Sequence, residues 1–186
     1  MIISIGGAAG SGKSTVALKL AKKLNWPCYY IGKMRREIAK GKGLTLAEYN
    51  KLGEKDPRTD LDIDNYQKKL GQTKDNFIVE SRTSWHFIPR SLKIYLDVEE
   101  KIGAKRIFKE LKGKHNRNED KNLKTVADVL KSQQARKKSD KKRYAKYYRI
   151  DVYDKKNYDF VLDTTNLNKN QVFTRVYNFI KSRLTS

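Results

Sequence analysis

The run Gly7-Ala8-Ala9-Gly10-Ser11-Gly12-Lys13-Ser14 satisfies G-x-x-x-x-G-K-[ST], the spacing of a phosphate-binding loop. Its chemistry is that of an anion cradle. Glycines allow positive φ and close approach of a ligand, so successive backbone N–H groups and those of the first turn of a following helix point into one concavity. Gly7 through Thr15 are therefore expected to hold a triphosphate, with Lys13 reaching the β- and γ-phosphates and Ser14 Oγ ligating Mg²⁺. Three further groups are candidates for the site. Glu80-Ser81-Arg82 sets an acid and an arginine almost side by side. Arg136, Asp140 and Arg143, spaced four and three, share one helical face, which is either a phosphate grip or a surface ion-pair ladder worth a few tenths of a kcal/mol. Asp60, Asp64 and Gln67 share another face with Asp62 off it; that stripe reads equally as a solvated acidic face or as substrate contact.

These groups need elements to position them. Ile2-Ile3-Ser4-Ile5 predicts a strand leading into the loop, and Val16, Ala17, Leu20, Ala21 and Leu24 predict an amphipathic helix leading out, ended by Asn25-Trp26-Pro27. Cys28 to Ile31 reads as a short strand, Gly32 follows, and Met34 to Ala39 begins a helix that breaks at Gly41 and Gly43. Thr45-Leu46-Ala47-Glu48 is a capping-box signature, and Pro57 suits the first turn of the helix carrying Asp60. Asn76 to Val79 predicts a strand with Glu80 to Arg82 at its C-terminal end, the ligand edge of an open α/β sheet. Leu92 to Val98 predicts the next strand, followed by a helix through Ala104, Ile107, Phe108 and Leu111. A polar loop at 113–124, a helix over 125–148, a last strand Asp159 to Asp163 and a final helix capped by Asn168 complete the chain. The class is α/β: one P-loop NTPase domain over 1–186, with a five-stranded parallel sheet and helices on both faces. Insertions at 33–70 and 112–150 suit the acceptor-binding and lid regions of small-molecule kinases, which exclude water from the transfer.

A length of 186 residues suits one domain, and no apolar run approaches the roughly 18 residues of a membrane span. With the lone Cys28, these features predict a soluble protein of a reducing, cytoplasmic compartment. The net charge is +21, and residues 101–149 hold 18 Lys or Arg against five Asp or Glu, a surplus of 13. A phosphate-handling region in a lysine-rich background accounts for this; it predicts weak, salt-sensitive binding of nucleic acid in place of a specific RNA complex.

Over nearly its whole length the chain resembles the cytidylate kinases, particularly the short archaeal-type branch. Gly32 through Arg36 is similar to the family's G-x-x-x-R, Glu80-Ser81-Arg82 to its [DE]-G-R, and Arg136 to Arg143 to its R-x-x-x-D-x-x-R, while Asp159 to Thr165 resembles its final strand. The resemblance implies that Arg36, Arg82, Arg136 and Arg143 hold phosphates, and that Asp140 contacts the CMP ribose or orders Arg143. It also implies a nucleoside monophosphate kinase fold, with 33–70 receiving the acceptor. The chain departs from the pattern at several positions. Lys33 and Tyr30 stand where archaeal-type and bacterial members respectively carry Asp, and Thr83 where bacterial members have a cytosine-contacting Asp. Ser81 replaces a glycine, and Arg149 stands where the lid region usually ends in Gly.

The reaction expected is transfer of the ATP γ-phosphoryl group to CMP or dCMP, with Lys13, Arg82, Arg136 and Arg143 stabilising charge and Ser14 and Glu80 serving Mg²⁺. Asp60 and Asp64 are placed with the acceptor site. The acceptor phosphate is already a nucleophile, so no general base is required, and His86 and His115 are expected to be bystanders. The remaining readings are a kinase for another monophosphate, small molecule or polynucleotide 5′ end, and an RNA-binding protein that kept a nucleotide loop. A monomer is expected.

Overall fold

The computed structural model describes residues 1–113 and 123–184. Five strands, β1 (Ile2–Gly7), β2 (Cys28–Tyr30), β3 (Phe77–Glu80), β4 (Leu92–Asp97) and β5 (Phe160–Asp163), form one parallel sheet in the order β2-β3-β1-β4-β5. Parallel neighbours require crossovers, and helices supply them: α1 (Lys13–Leu24), α2 (Ile31–Gly41), α3 (Leu46–Gly53), α4 (Arg58–Thr73), α5 (Ser84–Phe87), α6 (Glu100–Leu111) and α7 (Val126–Tyr148), with α8 (Lys169–Leu184) following the last strand. The expected five-stranded α/β sheet is the one observed.

Strand alternation explains the two layers. Ile3, Ile5, Ile78, Ile94 and Leu96 point to one face, where Val16, Ala17 and Leu20 of α1 and Val172, Val176 and Ile180 of α8 cover them. Ile2, Phe77 and Val79 point to the other, against Ile31, Ile63, Leu70 and Ile88. Because both faces are covered, apolar residues occupy both sides of the central strands, broken only by Ser4 in β1 and by Lys93 and the terminal acids Glu80 and Asp97. A smaller cluster of Ala104, Ile107 and Val129 joins α6 to α7.

Local signals held at several ends. Thr45 and Glu48 make the expected capping box, and Asn168 Oδ1 accepts from the backbone N–H groups of Asn170 and Gln171 at the start of α8. Thr125 and Asp128 form a second box that starts α7. One assignment is corrected. Ile31 is not the end of the second strand but the first residue of α2, where its side chain packs under the sheet. The four-residue α5 at Ser84–Phe87 is too short to show a period in the sequence. Most of the expected 113–124 loop, including His115, lies outside the described residues.

β1 is central, with β3 on one side and β4 on the other. The chain fills β2 and β3 on one side of it and then crosses from β3 to β4 on the other, and the crevice beyond the C-terminal end of β1 is where an open α/β sheet binds ligands.

Candidate active site

A cavity of about 830 Å³ opens over that edge, lined at one end by residues 9–16 and at the other by groups from α2, α4, α7 and the end of β3. The donor end is made mostly of backbone. Gly7 has φ +129°, and a Cβ there would stand 2.0 Å from Leu96 O, so only glycine lets the loop leave β1 against β4. Gly12 has φ +90° with open space where its Cβ would be, and it precedes α1 without a capping side chain. The first N–H groups of α1 thus lack intrahelical acceptors and, with the helix dipole, favour an anion. Lys13 Nζ donates to Ala8 O at 2.6 Å, folded along the loop it would leave to meet a phosphate.

Arg106 holds this end against the last strand, and sequence reasoning had not singled it out. Its guanidinium donates to Gly10 O, to the hydroxyl and carbonyl oxygens of Thr164, and to the carbonyls of Thr165 and Leu167. It also lines the cavity. A lone arginine on a helix gives no hint of carbonyls almost sixty positions away.

Ser14 Oγ lies 2.9 Å from Glu80 Oε2, a hydroxyl and a carboxylate converging beside the loop. Both are hard oxygen donors of the kind Mg²⁺ takes, and Mg²⁺ usually keeps few protein ligands with the rest of its shell from phosphate and water. Among the described residues no cluster of three or more His, Cys, Asp or Glu offers a fuller cage. The residues present therefore fit a magnesium ion carried with a nucleotide.

The acceptor end is made of buried charge. Asp60, 1% exposed, accepts from Arg35 at 2.5 Å and from Arg143, while Tyr144 Oη lies 3.4 Å from it. Arg143 donates its other terminal nitrogen to Asp140 at 2.6 Å, and Asp140 also receives Tyr153 Oη at 2.8 Å and faces Arg82 at 3.3 Å. Five charged groups thus alternate from α2 through α4 and α7 to the end of β3. Burial pushes the Asp140 carboxyl up, but Arg82, Arg143 and Arg136 outweigh it and leave it at about 2. For Arg82, Tyr153 and Asp140 outweigh the burial that lowers it, and it stays protonated.

This network corrects several expectations. The Asp60-Asp64-Gln67 stripe is no solvated face, because all three are at most 2% exposed. Asp60 does not line the cavity; its carboxylate bridges two arginines. The Arg136-Asp140-Arg143 face is not a surface ladder either, since Asp140 and Arg143 are buried. Arg143, expected to hold phosphate, lines the cavity while 1% exposed and paired with two carboxylates. Part of the basic surplus of α7 is paired, Glu54, Glu100 and Asp151 with Lys142, Lys137 and Lys141.

Arg36, Asp64, Glu80, Arg82, Arg136, Asp140 and Arg143 all line the cavity with the loop, as do Ser81 and Thr83. Arg35 was missed. It sits at the spacing of Ile31 and Ala39, both buried, so the apolar stripe of α2 carried the signal, hidden once Ile31 was given to the strand. Lys33, which takes the place of a family acid, points away and pairs with Glu37 on the surface. His86 packs among Trp85, Phe87 and Tyr148 and is not a lining residue.

A parallel sheet with a glycine-rich phosphate loop after its central strand, opening on an arginine-lined cleft, defines a P-loop phosphotransferase. Among solved structures, the chain is similar to an uncharacterized protein from Eubacterium ventriosum (TM-score 0.70, 19% identity, 98% of this chain and 99% of that one). It is also similar to shikimate kinase from Bacteroides thetaiotaomicron (TM-score 0.63, 15% identity, 97% and 98%). Residues 2–166 match the cytidylate kinase-like family, and the chain belongs to that family. Relatives include a cytidylate kinase of Methanocella arvoryzae, 35% identical over 180 residues and covering 97% of each chain. Another, of Methanothermobacter thermautotrophicus, is 34% identical over 164 residues, 88% of this chain and 95% of the relative.

Proposed function

We propose that the protein transfers the γ-phosphoryl group of ATP to the α-phosphate of CMP or dCMP, forming CDP or dCDP and ADP. The observation that carries this reading is a single cavity with a phosphate loop at one end and Arg36, Arg82 and Arg136 at the other, in a chain whose relatives are cytidylate kinases. An α-phosphate oxygen of the acceptor bonds to the γ-phosphorus as the bond to the β,γ-bridging oxygen breaks, and ADP carries off that electron pair. Such a transfer needs alignment and charge neutralisation more than covalent help. Residues 7–15 hold the donor phosphates, and Lys13 covers the β/γ oxygens. Ser14 binds Mg²⁺ and Glu80 its water shell; when bound, the ion neutralises charge on those oxygens. Arg36 grips the acceptor phosphate, and Arg82 and Arg136 face the group in transit. Asp140 and Arg143 position Arg82 from behind, with Asp60 holding Arg143 in turn.

Residues 33–70 form the acceptor-binding insertion and 112–150 the lid region, of which α7 brings Arg136 to the cleft. No helix among the described residues is long and apolar enough to cross a membrane. A cytoplasmic monomer, with nucleic acid bound only weakly and lost with salt, completes the reading. A panel of CMP, dCMP, UMP, AMP, shikimate and RNA 5′ ends, each with ATP and Mg²⁺ and read by ADP release, tests it. CMP and dCMP are expected to lead. A larger kcat/KM for shikimate or RNA ends would overturn it.

A further inference from the structure

The acceptor end contains one carboxylate that the phosphate chemistry does not use. Four acids line the cavity among the described residues: Asp64, Glu80, Glu110 and Asp140. Glu80 sits against Ser14, and Asp140 is tied to Arg82, Arg143 and Tyr153. Glu110 belongs to α6, the helix that touches the phosphate loop through Gly103 and Arg106. Asp64 alone stands on the acceptor insertion.

Asp64 is 2% exposed, yet no lysine or arginine among the described residues pairs with it. Oδ2 accepts from Tyr148 Oη at 2.7 Å and Oδ1 from Gln67 Nε2 at 3.2 Å. Each carboxylate oxygen can take about two donors, so Oδ1 keeps capacity for another. The supporting groups fix its aim. Gln67 Nε2 also donates to Thr83 Oγ1 at 3.0 Å, and the Thr83 backbone N–H donates to Ser81 Oγ at 3.1 Å, which ties Asp64 to the end of β3. A buried carboxylate with no directly paired cation is costly even with Arg35 and Arg143 nearby, and one placed in a cavity is relieved by a ligand that brings donors.

We propose that Asp64 reads the acceptor base, accepting a hydrogen bond from the exocyclic amino group of cytosine and rejecting the carbonyl that uracil presents at the same edge. This rests on the phosphotransferase reading above. The discrimination works by repulsion as much as attraction, because a carboxylate oxygen set against a carbonyl leaves two acceptors facing without a proton. Phosphate binding is shared by both nucleotides and lies with the arginines, so the effect of Asp64 should fall on base choice.

The test is Asp64→Asn, whose amide can donate to the uracil carbonyl. Assayed at about pH 8, above the value of about 7 to which burial raises Asp64, the wild type should prefer CMP over UMP in kcat/KM. In the variant that preference should shrink by roughly 5- to 150-fold, the span one well-placed contact gives against a wrong base, and UMP turnover should rise in absolute terms. Tyr148→Phe, which frees Oδ2 while leaving the carboxylate, should shrink it less and act on KM more than on kcat. Calorimetric binding of CMP and UMP to both variants reads the same preference without phosphoryl transfer. If the wild type turns over neither nucleotide, the phosphotransferase reading fails, and the binding preference still decides the role of Asp64. A folded Asp64→Asn enzyme that keeps the wild-type preference within twofold, or that loses CMP and UMP turnover equally, would overturn the proposal. Should Asp64→Asn fail to fold, an unchanged preference in Tyr148→Phe would do so.

Discussion

At the donor end of the cleft, the loop proposed to hold phosphate is one run of nine consecutive residues, 7 to 15, built largely of backbone. At the acceptor end, the charges come from α2, α4, α7 and β3, and Asp60 and Arg143 lie 83 positions apart in sequence. The donor end can lose a side chain without losing its shape, because strand β1 and helix α1 hold it. The acceptor end is held by the charges it presents, so stability and positioning are coupled there. A buried ion network is weak evidence of net stability, but removing one member leaves its partners as uncompensated buried charge.

That contrast is most exposed at Asp60. Asp60→Ala strands Arg35 and Arg143 and should cost about 3–5 kcal/mol in denaturant unfolding, with kcat/KM falling as the acceptor end loosens. Lys13→Ala should do the opposite, lowering kcat by about 2.7–4 kcal/mol of transition-state stabilisation with unfolding free energy unchanged within about 0.5 kcal/mol. If the two variants showed equal losses of stability, the division between the ends would be broken. Arg82→Ala sharpens it, since Arg82 faces the cleft from the network: it should lose catalysis on the Lys13 scale and some stability as well.

The pH dependence separates two acids of the same end. Asp140 is lowered from 3.8 to about 2, so the stability it contributes is present above about 4 and is lost as pH falls toward 2, a loss of about 2 kcal/mol. Asp64 is raised from 3.8 to about 7, first by burial, against the lowering effect of the Tyr148 hydroxyl. Asp60 raises it further, while Arg35 and Arg143 oppose; Gln67 and Tyr144 complete its surroundings. Here the folded state binds the proton more tightly, so stability declines as pH rises from about 4 to about 7, by a few kcal/mol at most. Unfolding of Asp64→Asn across this range should show a flatter profile than the wild type; an unchanged slope would assign the limb to other groups. The smallest effect is expected at Arg149, which ends α7 with φ +58° where a glycine would be unstrained. Arg149→Gly should stabilise by about 1 kcal/mol, read as a rise in Tm.

The same contrast governs what could be read from the residues in order. The phosphate loop, its flanking strand and helix, the five strands and the Thr45 capping box rest on interactions within a few positions, and all were legible. The partners of Asp60 were not. Arg35 sat on a stripe that ran through Ile31, and assigning Ile31 to the preceding strand removed its frame. The stripe carrying Asp60, Asp64 and Gln67 was visible as one face, but nothing local told a solvated face from a buried one. Arg106 and Tyr153 act through atoms far along the chain. Arg136, Asp140 and Arg143 were legible as one helical face, yet the burial of Asp140 and Arg143 against Arg82 and Asp60 depends on packing that spacing does not encode.

The central claim is phosphoryl transfer between the two ends, and it is tested most directly by following the label of [γ-³²P]ATP with CMP and Mg²⁺. The account predicts label in the β-phosphate of CDP, one ADP formed for each CDP, and loss of both products in Lys13→Ala. Label released as inorganic phosphate at a rate indifferent to CMP would contradict it.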